Sequence, residues 1–176
     1  MTSTVSRLLL AGLGLALCTQ AQAATVTGNI NATLTLTSAC QVNGSSAVSG
    51  VTFGTLSFGS QSALFSTAGA QVLSGGSGFS VLCSAGTIPI IKVNAGAHDG
   101  QSSGGGRALY DGVANYVPYD FYTDSGFSTL LVVGGTITLP TSTGVAQTVN
   151  LYGQAKGKAG LPAGLYTDLV AVELSF

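Results

Sequence analysis

The sequence predicts an all-β sandwich, and three observations carry that reading. Short runs rich in Val, Thr, Ile, Phe and Tyr, which suit pleated surfaces, are separated by clusters of Gly, Ser, Asn and Pro. No segment holds a helical period of useful length. The final run, "DLVAVELSF" from Asp168 to Phe176, alternates Val170, Val172, Leu174 and Phe176 with Ala171, Glu173 and Ser175. Nothing in the sequence follows that last strand to pair its second edge. An immunoglobulin-like sandwich needs seven strands, and this one is expected to lack its last. It would present an open groove, a strong template for another strand.

The elements follow in order. Arg7 precedes the apolar run Leu8 to Cys18, and "TQAQA" sets Ala21 and Ala23 in an A-x-A arrangement. This is the pattern of a secretory signal peptide over residues 1–23, cleaved between Ala23 and Ala24. The run is too short to span a membrane, and Leu17 is too large for a lipoprotein site at Cys18. "TVTGNINATLTLT" alternates from Val26 to Leu36, more than one strand needs. Its first part, residues 24–32, reads as an arm that can donate Val26, Ile30 and Ala32 to a groove, and residues 33–176 read as the sandwich domain. Further strands are expected at Val51–Gly59, Gly78–Ser84, Ile88–Ala95 and Tyr116–Asp124. "TITLP", "QTVNLYGQAKG" and "GLYTDLVAVELSF" complete the set. Between Gly59 and Gly78 lies a Ser/Ala/Gly stretch, and Gly96–Gly112 reads as a mobile surface loop.

Composition narrows the function. Hydrophobic residues make up 45 % and charged residues only 6 %, against about a quarter in ordinary soluble domains. Five Lys and Arg cannot build a nucleic-acid patch. So few solvating charges do little to prevent self-association. Once the leader is removed, two cysteines remain, Cys40 and Cys83. In an exported chain they are expected to form a disulfide, worth about 4 kcal/mol in the chain-entropy model. With one histidine and few carboxylates, no zinc site is expected.

The catalytic candidates are weak. "GQSSG", Gly100 to Gly104, matches the hydrolase pattern around Ser102, with His98 beside Asp99 in the same loop. The chemistry needs the serine on a strand-to-helix turn, and here more glycine follows. Asp120 and Asp124, four apart, would share a face only on a helix, while the segment reads as strand; they are expected to be solvated acids. Asn31-Ala32-Thr33 and Asn43-Gly44-Ser45 fit the glycosylation pattern without a further signal. The glycine runs lack the Lys and Ser/Thr of a phosphate loop. The expectation is a non-enzyme without a cofactor.

The residues also carry a resemblance. "ATVTGNINATLTLTSACQVNG", "FGTLSFG" (Phe53 to Gly59), "VLCS" around Cys83, "YDFYTD" (Tyr119 to Asp124) and "PAGLYTDLVAVELSF" resemble the Csu-type pilins of archaic chaperone–usher pili, the spore coat protein U domain family. The likeness spans essentially the whole mature chain. It implies a subunit of a surface fimbrium that a periplasmic chaperone completes first. An outer-membrane usher then swaps the chaperone strand for the arm of the next subunit, the step called donor-strand exchange. It also implies adhesion and biofilm formation at the surface of a Gram-negative-type bacterium, with Val170, Val172, Leu174 and Phe176 flanking the groove. The competing reading from composition alone is a free-standing secreted sandwich that forms a coat or binds carbohydrate, complete without partners.

Overall fold

The computed structural model describes residues 24–176. The expected leader, with Cys18 and Ala23, lies outside the described residues. The chain divides into two units, Met1–Thr35 and Leu36–Phe176. In the first, residues 24–35 join no strand, and Val26 and Ile30 are 95 % and 97 % exposed. The alternation there is real, but a strand exists only where a ladder partner takes its backbone groups.

The second unit holds twelve strands and, among the described residues, no helix. They are β1 (Cys40–Val42), β2 (Thr55–Leu56), β3 (Thr67–Leu73), β4 (Phe79–Cys83), β5 (Ile90–Val93), β6 (Arg107–Tyr110), β7 (Tyr116–Tyr122), β8 (Leu130–Leu131), β9 (Gly135–Thr138), β10 (Gln147–Val149), β11 (Tyr152–Lys156) and β12 (Val172–Ser175). One sheet has the order β2-β3-β11-β7-β6, with β8 also on β7. Facing it are two short ladders, β1-β4-β10 and β12-β5-β9. These ladders behave as one bent sheet. Phe79 lies opposite Val149 and Val93 opposite Gly135, and backbone bonds from Leu139 to Pro89 and from Ser142 to Thr87 link them. β4 and β5 are thus two halves of one central strand, with β9 and β10 along one side. β1 and β12 lie end to end along the other.

Between the layers pack Phe79, Val81, Ile91 and Val93 from the bent sheet and Val72, Tyr119, Phe121 and Ala155 from the other. Cys40 sits directly opposite Cys83 in the β1–β4 ladder, and the two are disulfide-bonded.

The structure departs from the sequence reading in identifiable places. The Ser/Ala/Gly stretch contains β3, whose "TAGAQVL" carries few β-branched residues. Gly69 is required there because the Phe127 ring lies against its backbone, where a Cβ would collide. The expected mobile loop Gly96–Gly112 contains β6, held on β7 by four register pairs. "QTVNLYGQAKG" is two strands, because the chain crosses from the bent sheet to the other sheet at Asn150 and Leu151. The alternating run to Leu36 is not continued as a strand until Cys40.

Candidate functional site

The feature that stands out is an open apolar groove between two lips. The first lip is the segment Val51–Phe58. The second is the segment running from Leu161 into β12. Between them lie two adjoining cavities of about 490 and 760 Å³, which share Thr55, Leu56, Leu109 and Asp168 as walls. The larger one is floored by core side chains, among them Val72, Phe79, Phe121 and Leu151. β12 pairs β5 on one side, and among the described residues no strand pairs its other edge. An unpaired edge beside an apolar trough offers both backbone groups and side-chain pockets to an added strand.

The second lip is built by a change of sheet. At Thr167 the chain bridges Tyr110 of β6, with backbone bonds in both directions. A few residues later it pairs β5 instead, with Val172 opposite Val93 and Ser175 opposite Ile90. Asp168 sits at the switch. Its carboxylate accepts the Ala97 N–H at 2.8 Å and the Tyr119 hydroxyl at 2.8 Å. Burial pushes the Tyr119 hydroxyl well above its ordinary range, and the bond to Asp168 adds to that; Tyr119 therefore stays a donor. Nearby, Arg107 reaches from β6 across to the bent sheet. Its Nη2 donates to the Val93 and Asn94 carbonyls at 3.0 and 2.9 Å, and its guanidinium lies 4.9 Å from the Phe121 ring centre. Burial lowers the Arg107 pKa, a shift that Tyr119, Asp99, Asp120 and Asp168 oppose.

The first lip also changes sheet. Leu56 pairs Val72 of β3, while upstream the Asn43 side-chain amide donates to the Thr52 and Phe53 carbonyls at 2.8 and 3.3 Å. Gly54 sits at the change, where a Cβ would stand 2.8 Å from Val72 and 2.9 Å from the Leu73 carbonyl. Two aromatic contacts fix the ends, Phe53 edge-on to Phe79 at 5.5 Å and Phe58 edge-on to Tyr119 at 6.0 Å.

Of the residues singled out in the sequence, Val170 and Val172 line the larger cavity. Leu174 packs half-buried against the core beyond it, and Phe176 is exposed. Ala32 is exposed like Val26 and Ile30. Ser102 is buried in the 96–106 segment with its hydroxyl unpartnered, and His98 packs on the Tyr110 ring at 4.7 Å. No helix follows Ser102, so the nucleophile geometry is not met. Asp120 is not the solvated acid expected. It is buried, accepts the Gly106 N–H at 2.6 Å and lies 3.7 Å from Lys156. Asp124 instead caps the turn after β7, taking backbone N–H bonds from Gly126, Ser128 and Thr129. Among the described residues no cluster of three or more His, Cys, Asp or Glu is arranged to hold a metal, and no helix is long and apolar enough to cross a membrane.

Sequence reasoning passed over Asn43, Arg107 and Asp168 as groove-building residues. Asp168 was visible within the closing glycine-x-Tyr-x-Asp run. Arg107 gave no signal, being one cation in a glycine-rich stretch.

Comparison with known proteins adds a family. The model of the Spore Coat Protein U domain matches residues 26–173. No curated protein matches the chain. Among solved structures, one match is the crystal structure of the CsuC–CsuE chaperone–tip adhesion subunit pre-assembly complex from archaic chaperone–usher Csu pili of Acinetobacter baumannii. It has 19 % sequence identity and a TM-score of 0.47, and the match covers 81 % of this chain and 40 % of that one.

Proposed function

The chain belongs to the spore coat protein U domain family, and on that premise we propose that it is a structural subunit of a chaperone–usher surface pilus that polymerises by donor-strand complementation. The observation that carries the reading is the groove. It is floored by core side chains beside the unpaired edge of β12, while the same chain carries an exposed alternating arm. Each defect suits the other, but in a second copy. The arm, residues 24–32, donates Val26, Ile30 and Ala32; the groove is flanked by Val170 and Val172, with Leu174 and Phe176 continuing the edge. Each large side chain buried contributes about 1.5–3 kcal/mol. A head-to-tail contact of this kind does not close on itself, so it builds a fibre.

In this reading a periplasmic chaperone occupies the groove first, an outer-membrane usher passes the subunit outward, and related pilins occupy the neighbouring positions. The leader is cut between Ala23 and Ala24, and the fibre serves adhesion and biofilm formation. The chain is a structural protein, not an enzyme.

The test uses two substitutions with separable outcomes. Ile30→Asp places a carboxylate where an apolar pocket receives the arm, a burial that costs several kcal/mol without a partner, and leaves the groove untouched. Val172→Asp damages the groove itself. Ile30→Asp should co-purify with the chaperone and remain soluble but make no fibres by electron microscopy, whereas Val172→Asp should lose chaperone binding as well. A subunit that is monomeric, soluble and cooperatively folded without any chaperone would instead mark a free-standing sandwich.

A further inference from the structure

Asn43 ties the first lip to β4 through three side-chain hydrogen bonds and one backbone hydrogen bond. It sits just after β1 in a left-handed conformation, φ 51°, which Asn adopts more readily than most residues. Its backbone N–H donates to the Ser80 carbonyl at 2.8 Å, and its side-chain oxygen accepts the Ser80 N–H at 2.9 Å. That double bond to β4 fixes the side chain and aims the amide nitrogen outward, at the Thr52 and Phe53 carbonyls. No strand includes Thr52 or Phe53, and among the described residues no backbone N–H is bonded to either carbonyl. The side chain therefore does for Val51–Gly54 what a ladder does for β2: it docks the segment on the bent sheet. Val51, Thr52, Phe53 and Gly54 are all walls of the larger cavity.

We propose that Asn43 is a positioning residue for strand capture, holding the first lip at the spacing from β12 that an incoming strand requires. This rests on the groove being the acceptor of a donated strand. An amide is needed because only a neutral group with an acceptor and a two-proton donor can bond Ser80 N–H on one side and two carbonyls on the other. A carboxylate of the same shape would keep the first contact and set charge against both carbonyl oxygens.

The experiment uses the full mature subunit purified with its chaperone and a fluorescent peptide of residues 24–37 as donor strand. Two variants are compared with the wild type. Asn43→Gly deletes the amide at a left-handed position that glycine takes without strain; Asn43→Asp keeps the shape and reverses the polarity. Uptake of peptide with chaperone release should slow about tenfold in Asn43→Gly, the scale of its two lost hydrogen bonds to the lip, and more in Asn43→Asp. The Asn43→Asp defect should shrink as pH falls towards about 4, where the introduced carboxyl regains an O–H donor, while the Asn43→Gly defect stays constant. None of the residues hydrogen-bonded to Asn43, namely Thr52, Phe53 and Ser80, is ionisable. Hydrogen exchange should quicken at residues 51–54 in both variants and stay unchanged in β7 and β11. Wild-type uptake matched by both variants, with unaltered exchange at 51–54, overturns the assignment of Asn43 alone. Failure of the wild type to take up any peptide overturns the groove reading and this proposal together.

Discussion

The two lips of the groove solve one problem in different ways. Each must leave one sheet and reach the other while staying apart from its counterpart. The second lip does so with backbone: a bridge to β6 at Thr167, then a four-residue ladder on β5, with Asp168 pinning the crossing. The first lip has only two ladder residues, Thr55 and Leu56. It relies on side chains, the Asn43 amide and the rings of Phe53 and Phe58. Its foundation, however, is covalent, because Asn43 follows the β1–β4 ladder that the Cys40–Cys83 disulfide staples. A ladder leaves a free edge and so a template, while side-chain anchors leave a wall. The asymmetry would give an added strand one side to pair with and one side to pack against.

The largest effect should come from the covalent foundation. Replacing Cys40 and Cys83 together by Ser should lower the unfolding free energy of the peptide-filled subunit by about 4 kcal/mol. Urea unfolding of the filled protein measures it, and hydrogen exchange should then loosen first around β1 and the first lip. A loss confined to β12 would reverse the comparison.

Next comes the pin of the second lip. Asp168→Ala removes the acceptor for the Tyr119 hydroxyl, on a side chain that is only 2 % exposed. A buried donor left without a partner costs about 1–3 kcal/mol. The same urea series should show that loss, and removing the hydroxyl as well, with Tyr119→Phe, should recover part of it. No recovery would mean that Asp168 acts through Ala97 alone.

The smallest effect concerns a turn belonging to neither lip. Backbone N–H bonds, that of Thr129 foremost, draw the Asp124 carboxyl down to about 2 from its ordinary 3.8. A folded value below the unfolded one means that its support is present above about pH 4 and fades as the pH falls towards 2. An NMR titration of the carboxyl should show this low midpoint with both lips unchanged. A midpoint near 4 would show that the cap is not formed.

The two lips also differ in how much of them the sequence disclosed. The second was legible because Val170, Val172 and Leu174 keep strict alternation and the half-buried pattern in the structure follows it. The first was harder. Val51–Gly59 was read as a strand, but the close approach at Gly54 shifts its phase, so that Phe53 and Leu56 both face inward, three residues apart. β3 and β6 were missed for a related reason. Their places are set by what lies against them, the Phe127 ring on Gly69 and the reach of Arg107 to Val93, and not by their own propensity. The disulfide was legible from the two cysteines, Cys40 and Cys83, that lie outside the expected leader. The polar residues that hold the groove open were not legible, since Asn43 and Asp168 are marked by their partners and not by spacing.

Whether the arm of one copy fills the groove of another, as proposed, can be read from hydrogen exchange on residues 26–32. In the chaperone-bound subunit the arm amides should exchange freely, while β12 should already be protected. In assembled fibres the arm amides facing the edge of β12 should become protected, in alternation, with β12 unchanged. Arm amides that still exchange freely in intact fibres would mean that the groove is not filled by the arm.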